Sequence, residues 1–481
     1  MTSIKKNFIY SSILTTSNYI FPLLVYPYVS RVLGVEKIGI CNFVDGIINY
    51  FVLFSMLGIN ILGIREIAKV KINKEQLNST FNSLFIINLI STIFMIIILL
   101  LCIEFIPKFS DYKKLLYIGV FKLVGNVLLI EWFYKGLESF KYITTRTIII
   151  KVLYVIAIFL FIKKENDYII YYGLTALMII GNSIFNCIYA RNFVKLTLKD
   201  IKIKPYISPY ITLGFYLLLT SMYTSFNIAY LGFLGGDIEV GYYTTATKIY
   251  TILLAIFTAF TGVMLPRMSS LISENKIDEF KGLIKKSIKI LLYFSIPTII
   301  IAEFFTPEII SIISGNGYEG AIQPMRIILP LMFIIGYEQI IIIQGLMPLK
   351  KDKAITINSI LGAIGGIVFN LLLVPLFYST GSAYVWVFSE LIVLMSAQHF
   401  IHKYIGISFP FKPLVKNIIF YVPLVCILFV LTHLYGNGLA CFIFSCILST
   451  IYFFLLHFLI IRESFILNII AQFTSTLKVL K

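Results

Sequence analysis

Charge is what this sequence is short of. Asp, Glu, Lys and Arg make up 13% of its 481 residues, against about 25% in soluble domains, and 59% are hydrophobic. Mean hydropathy is +0.93, and a water-soluble fold could not hide that much apolar surface, so the bilayer is the matching solvent. The apolar runs are continuous rather than alternating. That excludes a transmembrane β-barrel and leaves an all-α membrane protein.

Other absences narrow the chemistry. The six cysteines (Cys41, Cys102, Cys187, Cys426, Cys441 and Cys446) all fall inside apolar runs, with neither metal-ligand nor disulfide-framework spacing, and read as small hydrophobes. There are only four histidines. His399 and His402 share a helix face without an acidic or Cys companion, so no metal and no cofactor is expected. No Gly-x-x-x-x-Gly-Lys-Ser/Thr phosphate loop occurs, which argues against ATP hydrolysis. No loop is long enough for a soluble domain. The longest outer one, 306–323, carries the turn signal Gly315-Asn316-Gly317-Tyr318. Acids are scarce too, 23 against 40 Lys and Arg, giving a net charge of +17. The positives sit between spans rather than in a free-standing basic domain, so nucleic-acid binding is not expected.

What is present is a series of about fourteen apolar segments, each near the ~20 residues that cross a bilayer. They run 8–33, 38–63, 81–106, 115–134, 147–162 and 168–190, then 210–234, 240–265, 288–305, 324–347, 354–376, 382–401, 418–434 and 439–461. The first follows Lys5-Lys6 but is too long for a signal peptide, lacks a small-residue cleavage site, and is expected to be kinked by Pro22 and Pro27. The expected organisation is an N-lobe of six spans (1–204), a C-lobe of six (205–403) and a terminal helix pair (404–481) around a central cavity.

Internal repetition supports two lobes. The first two runs are joined by a turn, Gly34-Val35-Glu36-Lys37-Ile38, and the second breaks at Gly63-Ile64-Arg65-Glu66 into a basic loop. The same grammar returns at Leu234-Gly235-Gly236-Asp237, Val240-Gly241 and Leu265-Pro266-Arg267. Gly39 and Gly241, and Arg65 and Arg267, stand at the same offset. An even number of spans between copies describes a parallel repeat, as in some transporters. The loop charges place both termini in the cytoplasm: Lys69, Lys71 and Lys74, then Lys135, Lys141, Arg146 and Lys151, then Arg191 through Lys199 to Lys204, and later clusters fall on one side.

Ionisable groups inside spans are costly and mark pathways, pairs or snorkelling chains. Asn42, Asp45, Asn49 and Asn60 fall on one face of the second segment, as the lining of an aqueous cavity. Lys248 in the eighth and Lys122 in the fourth, with Asn126 a turn below it, reach the level of Asp45 in the outer half of the bilayer. Glu131 has Lys135 at i+4 and reads first as an ion pair. Glu338 and Glu390 have no in-helix cation and are candidates for H+ or Na+ coupling, or for pairing with a neighbouring helix. Arg31 and Arg326 lie near outer ends, while Glu104 and Glu303 close their spans.

On these residues the chain resembles polysaccharide repeat-unit flippases of the polysaccharide transporter family, within the multidrug/oligosaccharidyl-lipid/polysaccharide exporter superfamily. The matching stretches are Tyr26-Pro27-Tyr28-Val29-Ser30-Arg31-Val32-Leu33-Gly34, Val240-Gly241-Tyr242-Tyr243 through Lys248, Leu265-Pro266-Arg267, Gly317-Tyr318 through Arg326-Ile327-Ile328-Leu329-Pro330, and Gln344-Gly345 with the basic loop after it. The resemblance covers essentially the whole chain through loose, aliphatic motifs. It implies two six-helix lobes plus two helices, alternating access, and no enzymatic chemistry. The implied substrate is an undecaprenyl-diphosphate-linked oligosaccharide, moved from the cytoplasmic to the outer leaflet of a bacterial inner membrane. Arg31 and Lys248 fall in matching motifs; Lys122, Asp45, Glu338 and Glu390 rest on the span reading alone. A multidrug or metabolite antiporter and a polysaccharide polymerase or ligase are the alternatives.

Overall fold

Helices that are apolar all round need lipid or a large core on every face, and their backbone polar groups must be satisfied within the segment. The computed structural model, which describes residues 4–197, 201–224, 226–436 and 438–461, meets that demand with helix and no strand among the described residues. In order they are α1 (Ile4–Met56), α2 (Ile59–Val70), α3 (Lys74–Phe105), α4 (Lys113–Leu129), α5 (Glu131–Gly136), α6 (Phe140–Phe161) and α7 (Tyr168–Ala190). Then come α8 (Lys204–Thr224), α9 (Phe226–Leu234), α10 (Gly236–Ser273), α11 (Ile277–Phe304) and α12 (Thr306–Ser314). The series ends with α13 (Ile322–Ile328), α14 (Leu331–Gln339), α15 (Asp352–Ile405), α16 (Phe411–Tyr435) and α17 (Leu439–Leu456), with a π-helical turn at Ile340–Leu346 after α14.

Among the described residues, nine helices are long and apolar enough to cross a membrane, or up to eleven if each bent pair is one span. Two of the nine run for 62 and 54 residues, well beyond the ~20 of a single crossing, and each is broken inside. Outward-facing apolar chains such as Phe94, Leu153 and Leu177 give the bundle its lipid surface. Helices α1 to α7 pack on one another, α8 to α15 do likewise, and the two sets meet chiefly where α1 crosses α10.

Several boundaries differ from the sequence reading, each for a physical reason. The turn expected at residues 34–38 is a break at Gly34 alone, whose φ of 72° suits glycine and leaves α1 otherwise continuous. Pro22 and Pro27 lie inside α1 without interrupting its dihedrals, so the expected kink is at the glycine. The second segment does not end at Gly63. It breaks earlier, at Leu57 and Gly58, and α2 carries Gly63, Arg65 and Glu66 onward to Val70. Gly63 is a packing glycine, since a Cβ there would lie 2.4 Å from the Trp132 ring. Asn60 therefore stands beyond a helix break and does not share the face of Asn42 and Asp45. Pro266 is likewise internal to α10, which bends by 42° between Ala255 and Phe257 instead. The first half of the expected long loop is α12, with Gly315 and Gly317 after it in positive φ as the turn signal requires. Finally, α6 begins at Phe140 rather than Thr147, which moves Lys141 and Arg146 from a loop into a membrane helix; Lys151, grouped with the loop charges, lies inside the expected segment 147–162 as well as inside α6. Lys199, counted among the loop charges, lies outside the described residues.

Glycine also sets the α1–α10 crossing. A Cβ on Gly39 would fall 1.7 Å from the Asp237 carbonyl oxygen, and one on Gly241 would fall 2.4 Å from that of Val35. The two repeat-related glycines thus face one another, backbone against backbone, as small residues allow in membrane helices.

Candidate functional site

Below that crossing, α1 and α10 are stitched by polar side chains. Tyr26 Oη and Thr245 Oγ1 are 2.6 Å apart, and Asn42 Nδ2 donates to Thr244 Oγ1 at 2.8 Å. Lys248 Nζ donates to Asn42 Oδ1 at 3.0 Å and lies 4.7 Å above the centre of the Tyr26 ring. All of these partners are neutral, and none of them is a carboxylate.

Lys248 lines a cavity of about 530 Å³ bounded by α1, α6, α7 and α10. Facing the same space is Lys151, twelfth residue of the 22-residue α6, whose Nζ donates to Asn18 Oδ1 at 2.6 Å and Ser17 Oγ at 3.1 Å. Four tyrosines, Tyr19, Tyr26, Tyr154 and Tyr171, share the wall, and no acidic residue lines it. Sequence reading missed Lys151 because it was counted as a cytoplasmic loop charge. Its depth in α6 was the available signal.

Lys122 does reach Asp45, at 2.5 Å, but it is 5% exposed and lies 3.8 Å over the Tyr172 ring, outside the cavity lining. It is an interhelical pair between α1 and α4, its partner carboxylate 40% exposed. Asn126 Nδ2 bonds back to the Lys122 carbonyl at 2.8 Å, and Asn49 is exposed one turn beyond Asp45. Arg31 is exposed and spans the α1–α12 seam, donating to the carbonyls of Pro27 and Ile312. Arg326 lies 3.6 Å from Glu303. The structure therefore brings neither arginine, nor Asn49, nor Asn126 into the cavity.

The acids are held apart from it as well. Glu131 pairs with Lys135 at 3.1 Å, as its spacing implies, and also with Arg146 at 3.2 Å. Glu338 on α14 and Glu390 on α15 come close to each other in the bundle interior. Trp386 Nε1 donates to Glu390 Oε1 at 3.0 Å, and its ring packs edge-on to Tyr250 at 5.2 Å. Tyr250 is two residues from Lys248 on α10, so one helix touches both the carboxyl pair's surroundings and the cationic cavity.

The fold and the sequence both have relatives. The solved structure titled lipid II flippase MurJ, inward closed conformation, superposes with a TM-score of 0.76 at 15% identity, over 93% of this chain and 97% of that one. An inward-facing multidrug resistance MATE family transporter of the MOP superfamily gives 0.67 at 15% identity, over 82% and 98%. A protein of Escherichia coli (strain K12) named for O-antigen transport is 26% identical over 81% of this chain and 95% of its own length. Haloferax volcanii Agl15, named as a low-salt glycan biosynthesis flippase, is 22% identical over 40% of each chain. The MatE family profile matches residues 213–372. A profile that spans both sides of the α1–α10 crossing, residues 4–272, is decisive for the rest: the chain belongs to the Polysaccharide biosynthesis protein family.

Proposed function

We propose that this protein is a flippase that carries undecaprenyl-diphosphate-linked oligosaccharides from the cytoplasmic to the outer leaflet of a bacterial inner membrane, with both termini cytoplasmic. Residues 1–204 and 205–403 act as the moving lobes and 404–481 as an appended pair; 1–3, 198–200, 225, 437 and 462–481 lie outside the described residues. The observation that carries the reading is the acid-free cavity in which Lys151 and Lys248 meet no carboxylate.

A lipid diphosphate bears two or more negative charges, and hydrocarbon alone cannot solvate them. Two ammonium groups in a low-dielectric chamber replace water as the charge partner, and the tyrosines offer hydroxyl groups and flat faces to sugar. With the close-packed glycine crossing taken as the outer gate, lobe rocking about it would switch access. An antiporter of cationic drugs would need acids in this wall, and none is there.

Reconstituted in proteoliposomes, the protein should move a fluorescent lipid-diphosphate oligosaccharide between leaflets, and a deletion strain should accumulate that lipid on the inner leaflet. Single repeat units displayed outside the deletion strain would point to a polymerase instead.

Coupling is assigned to Glu338 and Glu390. A proton taken up by this pair of neighbouring carboxyls would be exchanged as α10 moves, through the Trp386–Tyr250 contact. Glu338→Gln and Glu390→Gln should each remove the stimulation that an imposed proton gradient gives to flipping, while leaving the ungradiented rate within about threefold, under 1 kcal/mol. A rate in the native protein that ignores both proton and sodium gradients removes coupling from these residues.

A further inference from the structure

A second cavity, of about 630 Å³, opens where the start of α6 meets the end of α7. It shares no residue with the central one. Its two ends differ in chemistry. One is lined by Ile149 and Phe185, each 55% exposed on the outer, lipid-facing surface. The other holds Lys141, Arg146, Ser139 and Glu138.

Arg146 is the unusual member. It is 6% exposed; its terminal nitrogens reach Asn182 O, Glu131 Oε1 and Thr147 Oγ1, yet its Nε has no acceptor. A buried guanidinium one acceptor short, at a cavity wall, is an incomplete anion site. Lys141 is exposed at the mouth beside it. Glu131 pairs with Arg146 but is shared with Lys135, and the carboxylate of Glu138 is taken up by Lys71 at 2.7 Å, so the charge of Lys141 is left at the mouth. Tyr142 and Tyr189 stack at 3.9 Å, and Tyr142 Oη donates to the Phe185 carbonyl, which holds the wall between α6 and α7 rigid.

We propose that this crevice binds the head of a resident anionic phosphodiester lipid of the phosphatidylglycerol kind. The phosphate sits at Lys141 and the edge of Arg146, the hydroxylated head at Ser139 and Glu138, and an acyl chain along Ile149 and Phe185. The gradient from charge to hydrocarbon within one cavity fits an amphiphile rather than a free anion. The position, at the Lys-rich end of the bundle, is where basic pockets between membrane helices take lipid heads. The lipid is resident rather than cargo because the cavity lies apart from the central chamber.

The test uses the purified full chain in nanodiscs and in detergent for native mass spectrometry, with phosphatidylglycerol and phosphatidylcholine as probes. One phosphatidylglycerol per chain should survive delipidation, with phosphatidylcholine bound at least about tenfold more weakly. Lys141→Glu, at an exposed position, and Ile149→Trp, which fills the apolar end, should each weaken retention by about tenfold or more. Equal retention of the two lipids, or wild-type retention by both variants, overturns the proposal. So does displacement of phosphatidylglycerol by undecaprenyl phosphate in the native chain but not in Ile149→Trp, which would make the crevice a cargo site. None of these readouts depends on whether the protein flips lipid.

Discussion

Replacing Lys248 with alanine should lower the flipping rate by at least about a hundredfold while leaving expression and melting temperature unchanged. An ammonium and a phosphate oxygen ~4 Å apart interact by about 4 kcal/mol at an effective dielectric of 20. Each ~1.4 kcal/mol of that, if felt only while the head group is inside, is a tenfold loss. Folding should be spared because the side chain gives up only a bond to Asn42 and a ring contact with Tyr26. Lys248→Arg, which keeps the charge, should retain more activity than the alanine. Lys151→Ala should behave like Lys248→Ala.

Lys122 supplies the contrast. Removing it leaves Asp45 without its partner in the bundle interior, a change that costs roughly 3–5 kcal/mol of stability for a buried pair and less here, where Asp45 is 40% exposed. Lys122→Met should therefore lower the melting temperature, and any loss of flipping should follow the loss of folded protein. Wild-type flipping in both Lys151→Ala and Lys248→Ala would sink the cationic chamber as the carrier of the diphosphate.

The second large effect is expected at Gly39. A side chain there has to displace backbone, because its Cβ would stand 1.7 Å from the Asp237 carbonyl oxygen. Overpacking of that kind typically costs about 1–3 kcal/mol, and here it falls on the α1–α10 crossing. Gly39→Val should cut flipping by about tenfold or more. Spin labels at Glu36, exposed just after the Gly34 break in α1, and at Ile238, exposed at the start of α10, should move farther apart. Gly173→Ala is the control, since nothing stands within 4 Å of its Cβ position. Unchanged label distances in Gly39→Val would mean that the crossing is not a gate.

Much of this was readable from residue types. Continuous apolar runs dictate membrane helices, and the common offset of Gly39 and Gly241 picks out two glycines that the structure sets face to face. The level shared by Asp45, Lys122 and Lys248 was also legible, because intramembrane charges are rare enough to count. Which cations remain unpaired was not. That depends on a carboxylate from another helix, and only packing reveals that Asp45 takes Lys122 while Lys248 finds an amide. Lys151 was hidden by a rule that is right on average: positives near a span end usually lie outside, and it was grouped with Lys135, Lys141 and Arg146 although it falls within the segment 147–162. Gly63 misled for the converse reason. A glycine that ends a helix and one that admits a tryptophan ring look alike until the ring is in place.

The two cavity lysines belong to different halves, Lys151 to α6 and Lys248 to α10. With nothing between them, like charges resist being drawn together; with an anion bridging them, the same two groups pull the halves inward. Cargo thus supplies its own licence for the compact state, and an unloaded carrier has little reason to cycle. Leakage of the membrane's ion gradients through futile turnover would be suppressed by electrostatics alone, without any dedicated latch.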